Sequence, residues 1–246
     1  MIKLSEIPTT PPDGLDKKEI RKKTRDLAKR IGDLQELMYA ENKQSLLVVL
    51  QGMDSSGKDG ATRNVFSYCS PAGTSFYAFK KPTDEEFSHD FLWRVHRQAP
   101  RKGEIKIFNR SHYEDILIQR VHGWIDEKHV SNRINSINAL EELLQYDNKT
   151  TILKFYMHLS YERQGEKLQE RIDEPGKNWK HNPGDWKERK LWDKYRDCYE
   201  DAINRSKIPW HIVPVDSRSY RDYVIASKVA ETLENLNMKL PELKKE

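Results

Sequence analysis

The stretch SLLVVLQGMDSSGKDGATR, residues 45–63, constrains the fold more than any other part of the chain. SLLVVLQ is a short, continuous apolar run rich in Leu and Val, which suits a strand buried on both faces, as in a parallel sheet. Glycines follow at once, at Gly52, Gly57 and Gly60, and a helix is expected to start near Lys58. A Gly-rich loop between a buried strand and a helix N-terminus is an anion site. Its N–H groups point at a phosphate, and the helix dipole favours negative charge. Gly52, Gly57 and Lys58 fit the phosphate-loop pattern G-x-x-x-x-G-K-[ST], with Ser55 and Ser56 inside it. The Ser or Thr hydroxyl that would hold magnesium is replaced by Asp59.

Something else must then hold the metal. Asp54 and Asp59 beside a polyphosphate would repel it unless a cation lies between, and Mg²⁺ takes carboxylate and phosphate oxygens. Asp54, inside the loop, is expected to supply that contact. Asp59 also suits the ordinary role of a carboxylate in a helix first turn. A second segment, FNRSHYED (residues 108–115), follows another expected strand, where a Walker-B carboxylate would stand. Asn109 occupies that position. Arg110 can fork onto phosphate and stabilise charge in transfer. Glu114, one turn on, can share the metal or orient an acceptor. The bland readings are a helix cap at Ser111, a surface carboxylate at Glu114 and a hydrogen-bonded structural histidine at His112.

The rest of the chain repeats strand and helix. A polar, Pro-rich arm (residues 1–15) precedes a helix over 16–41. Strands are expected at 74–79, 104–109, 151–159 and 210–215, and helices at 85–98, 111–122, 131–146 and 220–236. Such alternation predicts a doubly wound α/β domain: a five-stranded parallel sheet with helices on both faces and ligands at the carboxyl ends of the strands. Roughly fifty polar, helical residues (161–208) interrupt the rhythm, too many for an ordinary crossover, and read as a helical lid. Lys80, Lys81, Arg94 and Arg120, with Arg171, Lys177, Lys180 and Arg189 of the lid, would line a channel for a long polyanion if collected at one rim. Singly, each is a solvated surface charge. Trp179, Trp186 and Trp192 read chiefly as packing for the short lid helices.

Composition narrows the class. With 36% hydrophobic and 33% charged residues in 246, the chain can bury a core and still carry a wet, charged working site. The net charge of +4 fits an anionic partner as well as an ordinary solvated surface. Cys69 and Cys198 make neither a metal spacing nor a disulfide framework, as expected of reduced thiols in the cytoplasm. The N-terminus has no apolar secretory core, and no run approaches the ~18 apolar residues of a membrane helix.

GMDSSGKDG, KKPTDEEFSHDFLWRVH (residues 80–96), FNRSHYED, RIDEPGKNWKHNPGDWKERKLWDKY and WHIVPVDSRSYRDY together resemble the polyphosphate kinase 2 family through most of the chain. The resemblance implies a P-loop kinase-like fold and inorganic polyphosphate as donor. It also implies a nucleotide acceptor, reversible transfer with Mg²⁺ (or Mn²⁺), and a homo-oligomer, dimer or tetramer. It places donor phosphates on the loop and the cations above, and the acceptor near Lys81, Pro82, Thr83, Arg94 and Glu114. Members that phosphorylate only diphosphates carry a second motif like FDRSWYN. Asn109 and Glu114 instead resemble the class III subgroup, which takes AMP to ADP and ADP to ATP; guanine nucleotides are further candidates. The rivals are an ATP-dependent nucleotide kinase, a nucleic-acid-dependent P-loop ATPase and a polyphosphate-binding protein without turnover. No base-reading module is visible for the second of these, and no nucleic-acid partner is expected.

Overall fold

The computed structural model describes residues 1–243. Strands β1 (Ser45–Gln51), β2 (Thr74–Ala78), β3 (Ile105–Asn109), β4 (Thr150–His158) and β5 (Trp210–Pro214) form one parallel sheet in the order β2-β3-β1-β4-β5. The helices are α1 (Lys17–Glu41), α2 (Lys58–Val65), α3 (Asp84–Phe87), α4 (Trp93–His96), α5 (Glu114–Val121), α6 (Glu127–Tyr146), α7 (Tyr161–Asp173), α8 (Pro183–Arg189), α9 (Trp192–Asn204) and α10 (Arg218–Asn235).

The apolar run of β1 is central and buried at every position, with β3 on one side and β4 on the other. Its alternate residues feed two cores. Leu46, Val48 and Leu50 pack with α1, α2 and α10. Leu47 and Val49 pack with α5, α6 and α9. This is the two-faced burial that a continuous Leu/Val strand requires. Strand order turns on β1, so the loop after it lies at the crevice where open α/β sheets bind ligands. Among the described residues no helix is long and apolar enough to cross a membrane.

The helix expected over 85–98 is instead two short turns, α3 and α4. Between them Ser88 bonds back to the Glu85 carbonyl and Asp90 Oδ1 accepts from Leu92 N–H, so side chains compete with the helical ladder. Helix α5 starts three residues later than expected, because Ser111 Oγ takes the Tyr113 N–H in a local turn. Helix α6 starts four residues earlier, capped by Asp126 onto His129 N–H. The N-terminal arm is irregular in path but docked. Leu4 is fully buried, and its N–H donates to Glu200 of α9 (2.8 Å). Thr9 Oγ1 donates to Asp216, just past β5 (2.8 Å).

The segment between β4 and β5 is α7, a 3₁₀ turn (Pro175–Lys180), α8 and α9. Trp192 packs edge-on against Tyr161, as a packing role requires. Trp179 does not: it is 79% exposed, with the Lys180 ammonium over its ring.

Candidate active site

The loop after β1 closes on itself. Lys58 Nζ donates to the carbonyls of Gly52 (2.8 Å) and Met53 (3.1 Å) and to Ser56 Oγ (3.3 Å). Gly57 has φ +90°, and a Cβ there would stand 2.0 Å from Arg221 Nη1. A side chain at Gly52 would meet the Met157 carbonyl at 2.8 Å. Both glycines are demanded by close approach and backbone sign together. Ser55 is held at φ +66° with its Oγ buried and unpartnered.

FNRSHYED comes from the neighbouring strand, β3. Arg110 sits at φ +61°, its N–H bonded to the Leu50 carbonyl of β1. From there its guanidinium pairs with Asp54 and reaches Glu114 (3.5 Å). Glu114 also accepts from Gln51 Nε2. Asn109 donates to Asp59, joining the strand end to the α2 first turn. Burial pushes the Asp54 carboxyl up, but Arg110, Lys58 and Arg171 outweigh it and hold Asp54 below its ordinary value. Burial, then Arg110, lowers the Lys58 ammonium to about 8 against the pull of Asp54, Glu114 and Asp59.

The lid lies on this loop. From α7, Gln164 donates to the Asp54 carbonyl (3.1 Å) and Lys167 to the Ser55 carbonyl (3.3 Å). Arg189 of α8 crosses the Tyr161 ring at 3.2 Å, with its Nη1 buried and unpartnered. Arg171 pairs with Asp185. A cleft of about 60 Å³ remains between loop and lid, lined by Gly52, Asp54, Arg110, Glu114, Asp185 and Arg189 among others.

Of the expected residues, the fold brings together the loop from Gly52 to Gly60, Asn109, Arg110, Glu114, Arg171 and Arg189. Lys80 and Lys81 are exposed just beyond the end of β2, beside Asn109, whose carbonyl accepts from Phe79 N–H (3.0 Å). Four expected ligands are otherwise engaged. Arg94 is buried on Asp115 (3.0 Å) and the Lys80 carbonyl (2.9 Å), so it braces the Lys80–Pro82 segment from beneath. Arg120 points away from the cleft, held by Glu127 and Asp201 (2.7 Å each). Thr83 caps α3 in a reciprocal box with Glu86. Lys177 is neutralised by Glu170 and Glu174, and Lys180 is exposed over Trp179. Gln164, Lys167 and Arg221 were not expected. Lys167 follows Gln164 by one helical turn, a spacing that aligns two polar side chains on one face. Arg221 carries no signal of its own in sequence, since only the tertiary fold brings α10 to the loop.

Loop, arginine and lid describe an enzyme that handles a phosphate polyanion. The model of the family Polyphosphate kinase 2 (PPK2) matches residues 14–241. The AMP/ADP-polyphosphate phosphotransferase of Meiothermus ruber is 45% identical over 219 residues, covering 88% of this chain and 82% of that protein. The ADP-polyphosphate phosphotransferase of Rhodopseudomonas palustris is 41% identical over 233 residues, covering 89% and 80%. The crystal structure of polyphosphate kinase 2 from Arthrobacter aurescens TC1 superposes with a TM-score of 0.96 at 35% identity, covering 100% of this chain and 89% of that one. The chain belongs to the polyphosphate kinase 2 family.

Proposed function

We propose that this chain transfers the terminal phosphate of inorganic polyphosphate to AMP and to ADP, reversibly. The observation that carries this reading is Asp54 inside a phosphate loop, paired with Arg110 and roofed by lid cations. The relatives named for polyphosphate transfer support the donor. An ATP-dependent nucleotide kinase would share loop and lid but lacks this backing, as does a nucleic-acid-dependent ATPase.

Among the described residues no three His, Cys, Asp or Glu side chains gather as a metal cage. Magnesium bound through substrate phosphates needs only one or two protein carboxylates, so Asp54, with Glu114 across Arg110, fits it. When bound, the ion would neutralise phosphate charge. The chain's own residues do the rest. Loop N–H groups and Lys58 hold the donor end. Arg110 leaves Asp54 for the phosphoryl group in transfer, and α7 and α8 exclude water. The acceptor phosphate oxygen is already ionised near neutral pH, so no strong base is needed and catalysis is positioning plus charge stabilisation.

The test is incubation with polyphosphate and Mg²⁺, no ATP, and AMP, ADP, GMP or GDP in separate tubes, with products followed by chromatography. ADP and then ATP from AMP is the expected result; transfer only when ATP is supplied would overturn it. The two relatives differ in named acceptor, and Glu114 is the residue on which we rest AMP use. Glu114→Asn is expected to lower kcat/KM for AMP about tenfold more than for ADP, the scale of one charge-assisted contact. Equal losses would remove Glu114 from acceptor choice.

Arg221 extends the donor site. It is 3% exposed, Nε and Nη2 engage Asp222, and Nη1 stands over Gly57 with no acceptor among the described residues. Arg221→Met is expected to raise KM for polyphosphate about tenfold, the worth of one charged hydrogen bond, and to leave KM for ADP unchanged. Initial-rate kinetics in each substrate separates the two.

A further inference from the structure

Behind the catalytic loop lies a buried charge that the reaction does not use. Lys154 of β4 is fully buried, and its Nζ donates to Glu141 Oε2 of α6 (2.6 Å), Tyr113 OH (2.7 Å) and Ser206 Oγ (2.9 Å). Tyr113 OH donates to Glu141 Oε1 (3.0 Å), and Ser206 also accepts from Trp210 Nε1 (3.0 Å). His112 Nε2 lies 3.4 Å from the same Glu141 Oε1. The Tyr113 and Trp210 rings meet edge to face (centroids 4.8 Å apart), and the ammonium lies 5.1 and 5.2 Å from their centroids.

Stability does not call for this arrangement. Lys154 shares its face of the sheet with Ile152 and Tyr156, in an apolar core where a hydrophobic side chain would pack as well. Replacing a buried ion pair by apolar residues of similar volume is often neutral or stabilising. What the pair does have is direction. Two of its partners, His112 and Tyr113, lie between Arg110 and Glu114 in the chain. Arg110 is held in the left-handed region, which a non-glycine residue keeps only when its surroundings over-determine it. On one side Arg110 N–H is fixed to β1, and Ser111 Oγ donates to Gln51 (3.1 Å). On the other, the fixing point is the Tyr113 hydroxyl.

We propose that Lys154 and Glu141 are positioning residues: acting through Tyr113 and His112, they hold Arg110 and Glu114 in their working geometry. The role of Arg110 rests on the phosphoryl-transfer reading above; the conformational claim does not.

The test is the pair Lys154→Met/Glu141→Leu, with Tyr113→Phe as the milder second variant. For Lys154→Met/Glu141→Leu, Tm is expected to stay within about 5 °C of the wild type, since an apolar pair is tolerated at such sites. The same limit is expected for Tyr113→Phe, which leaves Lys154 bonded to Glu141 and Ser206 and Glu141 beside His112. Turnover is expected to fall at least about tenfold with KM for both substrates within about twofold, the pattern of an interaction made only in the transition state. Hydrogen exchange of residues 108–116 is expected to quicken while the β1 and β4 strands stay protected. Exchange reads the positioning even if the wild type proves to use another donor. Wild-type turnover and exchange in Tyr113→Phe, or a loss of turnover that only follows a loss of Tm, would overturn the proposal.

Discussion

Lys58→Met is expected to lower turnover about a hundredfold to a thousandfold, the usual worth of one preorganised donor to charge developing in a transition state. The protein should stay folded. Methionine leaves the Gly52 carbonyl short of a donor, at about 1–3 kcal/mol when buried, while the Met53 carbonyl keeps the Ser56 N–H (3.2 Å). It also removes an ammonium whose burial holds its pKa down to about 8, a penalty of about 3 kcal/mol that the variant no longer carries. The two effects largely offset. Circular dichroism and Tm beside polyphosphate-to-ADP transfer check both halves. Near-wild-type turnover would remove Lys58 from the reaction.

The same lysine sets a pH dependence. A base whose pKa is depressed in the fold is charged below that value and neutral above it. Lys58 is lowered to about 8 by burial first and Arg110 second, and Lys167 to about 8 by burial, then Arg221, Arg163 and Arg218. A bound polyanion favours both charged forms and draws their pKa values back up. Donor affinity should therefore be level below about pH 8 and fall as pH rises beyond it, with protons taken up on binding in that range. Calorimetry in two buffers of different ionisation enthalpy reads the uptake.

What could be read from residues alone was what local chemistry dictates. The β1 run, its glycine loop and the start of α2 were legible because each step has its own signal: two-faced burial, glycine spacing and a lysine at the helix start. FNRSHYED was legible as a partner because it closes another expected strand, at the carboxyl end where such sheets bind ligands. The lid was legible as an excess of helical residues between two strands. The misreadings share a cause. Arg94, Arg120, Thr83 and Lys177 were taken as free because their charges or hydroxyls looked free. Arg94 and Arg120 have carboxylate partners that only packing against α5 and α9 reveals. Lys177 pairs with Glu170 and Glu174, and the Thr83 hydroxyl accepts the Glu86 N–H, both contacts close in sequence. Arg221 and Lys154 failed the opposite way: in sequence they are one more surface arginine and a lysine in a strand, and only burial makes them notable.

Asp54→Asn is expected to lower kcat/KM at least about a hundredfold and to raise the magnesium needed for half-maximal rate about tenfold. The first effect has the size of lost charge stabilisation in a dry site, the second that of one lost carboxylate ligand. The amide keeps the size of the side chain and an oxygen that can still accept from Arg110, so the loop should hold its shape. What it loses is charge. In the structure that charge is held on Asp54 by Arg110, Lys58 and Arg171 against burial. A carboxylate kept ionised beside three cations is ready to exchange one of them for another when phosphate arrives and engages the arginine. Rate against Mg²⁺ at fixed polyphosphate separates this from a simpler role. If Asp54 only orients Arg110, turnover falls but the magnesium midpoint stays, and Arg110→Lys combined with Asp54→Asn costs no more than either change alone. If Asp54 holds the metal, the midpoint moves in Asp54→Asn and not in Arg110→Lys, and the two losses add.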